Sequence, residues 1–306
     1  MKKLFKISIG IAAYNSQNNI KELLYSLIHQ NRFETLIDEL ILHSDASTDD
    51  TLSIARKIKH KKIKIVSSSE RKGFARSLQT IINHNKSGYL ILLNDDFKIV
   101  DPNFLVKLIS PLQNEKVDLL TGNPQPLPAR NFIEKAGILS FRIFERMRNS
   151  MPNPHNKFTC DGKIMVLSKR FMRSLKFPGN VTEMGNVDAY FYFFCLSKNY
   201  IYRHNRKAQV LYRYPSTIAD YLKWQSRNNV NSILLRSRFG KELVNKEYKI
   251  PKNYFSYLTF KEILLNVDSL IFLIIVHFYV NYKKKSARNW FNPRWETIKT
   301  SKDLTL

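Results

Sequence analysis

Three consecutive side chains in the first third of the sequence, Asn94, Asp95 and Asp96, are suited to holding a divalent cation. They close the apolar run 89–94, which is typical of a buried strand. Mg²⁺ and Mn²⁺ prefer oxygen ligands and commonly take one or two protein carboxylates together with phosphate oxygens. Carboxylates that face a diphosphate would repel it without such an ion. The triplet therefore indicates either a metal-diphosphate site or an Asp-rich turn that caps the next helix.

The elements around this triplet alternate between two hydrophobic periods. Short apolar runs that predict buried strands occupy 6–13, 39–44, 63–67 and 89–94. Segments with helical periodicity occupy 20–28, 51–58 and 74–82. This alternation predicts a parallel sheet with right-handed crossovers, in which ligands bind beyond the carboxyl ends of the strands. Polar residues collect at those ends, at 14–15, 44–45, 67–71 and 94–96.

Four segments resemble, in order and spacing, the motifs of family 2 glycosyltransferases, which have the GT-A fold. The segments are Ile7–Asn15, Glu39–Thr51, Gly73–Arg76 and Leu92–Asp96. The resemblance implies an α/β fold with a Rossmann-like, mostly parallel sheet flanked by helices and a helical C-terminal extension. It also implies inverting sugar transfer from a nucleotide-diphosphate sugar, with Mg²⁺ or Mn²⁺ as cofactor, to a glycan, lipid-linked or protein acceptor.

The same resemblance assigns roles to individual residues of the donor site. It implies that Tyr14 lies against the nucleotide base, with Ala12 and Asn15 nearby, and that Asp45 holds the base or the ribose. It places Arg76 near the donor and makes Asp96 the direct metal ligand, flanked by Asn94 and Asp95.

Two positions depart from the family pattern in the turn after the second predicted strand. Ser44 stands where many relatives have a carboxylate, and Ala46 stands where they have glycine. These differences weaken any inference about which nucleotide is bound.

Inverting transfer also requires a base that takes the proton of the attacking hydroxyl. The resemblance places this base at Asp188, in the segment 185–191, although Val187 replaces the family's glutamate. Glu183 is the nearest alternative, and a plain helix cap is the other interpretation of Asp188. Further on, 214–227 resembles a degenerate Gln/Arg/Trp signature, in which Gln225 and Arg227 either line the acceptor cleft or lie on an exposed helix face.

The most apolar stretch, 263–280, contains Asn266 and Asp268 and precedes three lysines at 283–285. Its uninterrupted apolar core is shorter than the about 20 residues that a bilayer requires. We expect a helix that packs on the protein or lies at an anionic membrane surface, which would suit envelope glycan synthesis.

The bulk composition narrows the alternatives without deciding among them. The 306 residues include 50 basic and 25 acidic side chains, a balance that favours binding to polyanions. With only two cysteines, the composition fits a cytoplasmic protein, which we expect to be peripheral at the inner face of the cell membrane. We expect a donor-binding half over 1–115, an acceptor-binding half over 116–230 and a helical region over 231–306.

Two other functions would each explain part of the sequence. A sugar-phosphate nucleotidyltransferase would normally carry a glycine-rich, basic first turn, which 14–18 lacks. A non-enzymatic basic protein that binds polyanions or membranes would explain the net charge of +25 but not the carboxylates at consecutive strand ends. We expect no specific nucleic-acid binding.

Overall fold

The computed structural model describes residues 6–180, 184, 186–229, 231–250, 254–286 and 298–304. At 227–229, 231–233, 254–255 and 284–286 it describes the backbone alone.

The first half builds the strand and helix alternation that the apolar periodicity predicts. Its strands are β1 (Ile7–Ala13), β2 (Ile37–Ser44), β3 (Ile63–Ser67), β4 (Tyr89–Leu93) and β5 (Phe97–Lys98). Its helices are α1 (Ile20–Ile28), α2 (Phe33–Leu36), α3 (Thr51–Lys57), α4 (Phe74–His84) and α5 (Phe104–Ile109). The predicted bounds of the long elements agree with these to within about two residues.

The second half adds three strands and eight helices within the described residues. The strands are β6 (Leu119–Pro126), β7 (Ile164–Ser168) and β8 (Tyr202–Tyr212). The helices are α6 (Phe132–Asn149), α7 (Lys169–Ser174), α8 (Val187–Ser197), α9 (Ile218–Asn229), α10 (Asn231–Phe239), α11 (Lys241–Glu247), α12 (Phe260–Leu265) and α13 (Val267–Ser286). Short 3₁₀ turns lie at Ser110–Gln113, Lys157–Thr159, Tyr254–Tyr257 and Thr300–Lys302.

All eight strands join one sheet in the order β3-β2-β1-β4-β7-β6-β8-β5. The strands β1 to β4 are mutually parallel, and β6 is parallel to β8. The exceptions are β7, antiparallel to both β4 and β6, and β5, antiparallel to β8. The structure confirms the predicted α/β class with a mostly parallel sheet, and that sheet runs through both predicted halves.

The sheet carries apolar side chains on both faces, as expected for strands covered by helices on each side. The face that includes Ile9 and Ile11 packs against α1, and the opposite face packs against α4 and α8. Gly10 lies so close to α4 that an added Cβ would overlap Ile81. The glycine in the first motif is therefore a packing requirement for α4.

The segment with Pro124 and Pro126 is the second half of β6, although proline is uncommon within strands. Only residues 119–121 of β6 pair with β7, whereas its pairing with β8 continues to Pro126. The prolines lie where β6 pairs with β8 and no longer with β7. A proline, which lacks the backbone N–H, is tolerated on the unpaired side of such a strand.

Candidate active site

The carboxyl ends of β1 and β4 meet because the two strands are neighbours in the sheet. Asp95, directly after β4, accepts a hydrogen bond from the backbone N–H of Tyr14 at 3.1 Å and another from the hydroxyl of Ser16. Both bonds end on Oδ2 of Asp95. Asp95 therefore holds the loop after β1, which carries the predicted nucleotide-binding residues, against the predicted metal motif.

Asp96 has a different environment from Asp95. Its buried Oδ1 has no hydrogen-bond partner among the described residues, and the same holds for Oδ1 of Asn94. Burial raises the pKa of Asp96, Lys163 opposes this shift and Asp95 adds to it. A buried carboxylate oxygen without a protein partner is costly, and a bound cation would remove that cost. Asp96 therefore fits the predicted role of metal ligand.

Protein side chains by themselves do not form a complete metal cage in the described part of the chain. No group of three His, Cys, Asp or Glu residues there is placed to hold an ion. A Mg²⁺ or Mn²⁺ site that is completed by phosphate oxygens needs only one or two protein carboxylates. The donor set around Asp96 is compatible with that kind of site.

Tyr14 and Asp45 lie at the same edge of the sheet, as the sequence predicts. The guanidinium of Arg71 lies over the Tyr14 ring, 3.8 Å from its centroid, which is a cation–π contact. Asp45 accepts the backbone N–H groups of Lys72 at 2.9 Å and Gly73 at 2.7 Å. Asp45 thus fixes the segment that presents Arg71 to Tyr14 and begins α4.

The loops after β1 and β2 are tied together by Asn15. Its backbone N–H donates to Ser47 Oγ at 3.2 Å, and its Oδ1 accepts the backbone N–H of Thr48 at 2.9 Å. Asn15 has φ +50° and Ala46 has φ +54°, both in the left-handed region. The glycine that many relatives have at position 46 would adopt this backbone without strain. Ala12, the remaining predicted donor residue, is buried near the end of β1.

Arg76 contacts its own helix, α4, and the segment that follows α7. Its Nη1 donates to Gln79 Oε1 at 2.6 Å, and its Nη2 donates to the carbonyl of Gly179 at 2.5 Å. The structure therefore gives Arg76 a bracing contact with the segment after α7. Its predicted approach to the donor phosphates stays a prediction.

Asp188 lies in the first turn of α8, next to the segment that precedes β7. Its Oδ1 accepts the backbone N–H of Ala189 at 2.8 Å, and the Sγ of Cys160 donates to its carbonyl at 3.4 Å. Gly162 lies so close that an added Cβ would be 3.4 Å from the Asp188 Cβ. Burial raises the pKa of Asp188, and Lys157 and Lys163 oppose the shift. This is the environment of a carboxylate base that is stronger than an exposed aspartate.

Lys163 interacts electrostatically with both Asp96, the predicted metal ligand, and Asp188, the predicted base. Its carbonyl accepts the backbone N–H of Asn94 at 3.2 Å, so the start of β7 lies beside the end of β4. Burial alone would lower the pKa of Lys163. The negative charges of Asp161 and Asp96 raise it, and Asp188 makes a smaller contribution in the same direction. One lysine therefore lies within electrostatic reach of both the predicted metal ligand and the predicted base.

The profile of Glycosyl transferase family 2 matches residues 8–174, which is more than half of the chain. The chain belongs to this family.

Two relatives of this family 2 glycosyltransferase match it over part of their length. A Bacillus subtilis (strain 168) protein, EpsE, provisionally named a glycosyltransferase, is 26% identical over 198 residues, 62% of this chain and 66% of EpsE. WfaP of Escherichia coli, UDP-Glc:alpha-D-GlcNAc-diphosphoundecaprenol beta-1,3-glucosyltransferase, is 33% identical over 90 residues, 29% of this chain and 35% of WfaP. The chain spans less than two thirds of either relative.

Solved structures share the fold at low sequence identity. Glucosyl-3-phosphoglycerate synthase from Mycobacterium tuberculosis, in complex with Mn²⁺, UDP and glucosyl-3-phosphoglycerate, has a TM-score of 0.54 and 19% identity, covering 77% of this chain and 80% of that one. Mannosyltransferase PcManGT from Pyrobaculum calidifontis, in complex with GDP-Man and Mn²⁺, has a TM-score of 0.57 and 16% identity, covering 94% and 81%. The family 2 glycosyltransferase thus has the GT-A fold that its motifs predict.

Four further charged residues of the candidate site are not indicated by the sequence patterns: Lys157, Asp161, Lys163 and Lys302. Sequence patterns indicate ligand-binding residues at the carboxyl ends of parallel strands, because those ends meet at one edge of the sheet. Because β7 is antiparallel to β4, it is the start of β7 that reaches this edge, with Asp161-Gly162-Lys163 just before it. The antiparallel direction of β7, which the sequence does not show, places Lys157, Asp161 and Lys163 near this edge. Lys302 comes from a segment 207 positions away from Asp95 in the sequence.

Two further predicted positions have no test in the structure. Glu183 and the side chain of Arg227 lie outside the described residues. Within α9, Trp224 packs against Tyr214 and Tyr221 with centroid distances of 5.2 Å and 5.6 Å. The assignment of Gln225 to the acceptor cleft stays a prediction.

Proposed function

We propose that this chain is a metal-dependent, inverting glycosyltransferase that moves a sugar from a nucleotide-diphosphate sugar to an acceptor hydroxyl. The observation that carries the proposal is a pair of carboxyls: Asp96, whose buried Oδ1 has no partner among the described residues, and Asp188, in the first turn of α8. Burial raises the pKa of both, and Lys163 opposes the shift in each. Asp96 lies at the end of the strand that faces the donor, and Asp188 lies at the start of a helix in the other half. Asp96 would thus act in donor activation, and Asp188 would act in proton removal.

Each residue of the site has a defined task in this proposal. Asp188 accepts the proton of the acceptor hydroxyl as its oxygen attacks the anomeric carbon from the side opposite the diphosphate. Asp96 holds Mg²⁺ or Mn²⁺, which when bound neutralises charge on the leaving diphosphate. Lys157 and Lys163 keep Asp188 ionised near neutral pH by opposing the effect of burial.

The donor is to be identified by thermal shift. Purified protein is heated with UDP, GDP and their sugar conjugates, each with Mn²⁺, with Mg²⁺ or with a chelator. A ligand present at 100 times its Kd should stabilise the folded state by about 2.7 kcal/mol, and only when the metal is present. NMR of the transferred sugar then tests inversion. Equal melting temperatures in all conditions would refute the proposed nucleotide-sugar binding, and a retained anomeric configuration would refute the inverting mechanism.

The acceptor side of the proposal concerns a membrane surface. On α13, Leu273, Val276 and Val280 are buried, while the other side of the helix is apolar and open to solvent. The exposed apolar side chains of α12 and α13 are Phe260, Ile263, Leu264, Leu265, Val267, Ile271, Ile274, Ile275, Phe278, Tyr279 and Tyr282. In the described residues no helix has both the length and the apolarity that crossing a membrane requires.

We propose that this surface lies on an anionic bilayer, which places the enzyme at the cytoplasmic face beside a lipid-linked or envelope-glycan acceptor. The name of WfaP specifies a diphosphoundecaprenol-linked acceptor, which supports an acceptor of that class. An apolar helix face with a lysine-rich flank binds acidic headgroups through both area and charge.

Vesicle co-sedimentation tests the membrane proposal. Phe278→Asp should weaken binding to vesicles that contain phosphatidylglycerol by about tenfold or more. The matched control is Val100→Asp, at an apolar residue of similar exposure outside α12 and α13 (65% against 69% for Phe278). Equal binding by both variants and the wild type would refute the placement.

A further inference from the structure

Lys302 extends from the turn Thr300–Lys302 into the end of β1, in the middle of the predicted donor site. Its Nζ lies 2.9 Å from Asp95 Oδ2, 2.8 Å from Ser16 Oγ and 2.5 Å from the carbonyl oxygen of Tyr14. The side chain is mostly buried, with 16% exposed. The ammonium is therefore held by the two segments that carry the nucleotide-binding and metal motifs.

Several contacts fix the turn that presents Lys302. The backbone N–H and the hydroxyl of Thr300 both donate to Asp220 Oδ2, at 3.1 Å and 2.8 Å. Asp303 accepts from Arg130 at 2.7 Å, and Leu304 is buried. Contacts on both sides of Lys302 in the sequence therefore fix its position.

We infer that Lys302 is a donor-site residue that places a fixed positive charge against the diphosphate of the nucleotide sugar. The inference rests on the proposed function, because it needs a diphosphate at the end of β4. Asp95, adjacent to Asp96, is the carboxylate that Lys302 contacts. A metal at Asp96 and the ammonium at Asp95 would together balance the negative charge of one diphosphate.

This arrangement has opposite consequences for two ligands. The ammonium attracts a diphosphate and repels a divalent cation that binds without one. Removing the charge should therefore weaken nucleotide binding and strengthen binding of the metal alone. A residue that only anchors the turn would change both affinities in the same direction or neither.

The experiment compares Lys302→Ala, Lys302→Arg and Lys299→Ala by calorimetric titration of the full chain. Lys299 belongs to the same turn but is exposed. The probes are Mn²⁺ alone and UDP or GDP in saturating Mn²⁺. For Lys302→Ala we expect about tenfold weaker nucleotide binding and about threefold tighter Mn²⁺ binding. Lys302→Arg should keep most of the nucleotide affinity, and Lys299→Ala should match the wild type.

The melting temperature of each variant, measured in parallel, reports whether the turn stays docked. Lys302→Ala that binds both ligands like Lys299→Ala, or that loses affinity for both, would overturn the inference. Failure of the proposed function has a different signature, because the wild-type protein itself would then bind neither UDP nor GDP.

Discussion

The replacement Asp188→Asn is the most direct test of the catalytic assignment. It keeps the size of the side chain and an oxygen that can still accept the Ala189 N–H, which Asp188 Oδ1 now accepts at 2.8 Å. It removes the group that would take the proton from the acceptor. Loss of a positioned general base costs about 10² to 10⁴ in kcat, or about 3–5 kcal/mol of transition-state stabilisation.

The proposed role of Asp188 also predicts a pH dependence for the wild-type protein. The base works only when ionised, and burial raises the pKa of Asp188 against the opposing effects of Lys157 and Lys163. The rate should therefore fall as the pH drops through a pKa above the ordinary aspartate value of about 4. This acid limb should be absent from the residual activity of Asp188→Asn.

The assay follows nucleotide release and product formation with the donor found in the thermal screen. Asp161→Asn is the matched control, since Asp161 belongs to the same electrostatic cluster around Lys163 but is half-exposed. We expect a much smaller loss for this control. If Asp188→Asn keeps more than about a tenth of kcat, or if Glu183→Gln or Asp161→Asn removes more activity, the base has been assigned to the wrong residue.

Three other replacements test the remaining parts of the reasoning. Asp96→Asn should abolish the Mn²⁺-dependent thermal shift with nucleotide, because its buried Oδ1 is the carboxylate oxygen without a partner, and an unchanged shift would contradict its role as metal ligand. Ala46→Gly should raise the free energy of unfolding by up to about 1 kcal/mol in urea denaturation, because φ of +54° is strained for alanine. Glu134→Gln should lower it by about 3–5 kcal/mol, because Glu134 and Arg213 form a buried ion pair at 3.0 Å; a loss below about 1 kcal/mol would show that the pair is not needed.

The elements of the predicted donor half could be predicted from the sequence because local patterns determine them. The apolar runs of β1 to β4 and the helical periods between them are short-range signals, and parallel connection places the ends of neighbouring strands together. These patterns therefore predict Tyr14, Asp45 and Asp95 at strand ends, and the three residues lie at one edge of the sheet. The sequence could not assign different roles to the adjacent carboxylates, because the difference lies in their contacts: Asp95 accepts hydrogen bonds from the loop after β1, whereas Oδ1 of Asp96 has no partner among the described residues.

The acceptor side depended on the tertiary structure. Pro124 and Pro126 disfavour a strand in the sequence pattern, and only the tertiary structure shows that this part of β6 pairs with β8 and no longer with β7. Lys163 reaches the site because β7 runs opposite to β4, and strand direction is decided by sheet packing rather than by composition. Lys302 reaches Asp95 across 207 positions of sequence.

The sequence by itself determined the strand and helix order, the family motifs and the polar edge where the donor site is predicted, because these depend on neighbouring residues and on a fixed rule of chain connection. Only the tertiary structure decided which carboxylates are buried and which lysines compensate them. Burial and charge compensation are properties of groups brought together from distant parts of the chain, and no local pattern encodes them.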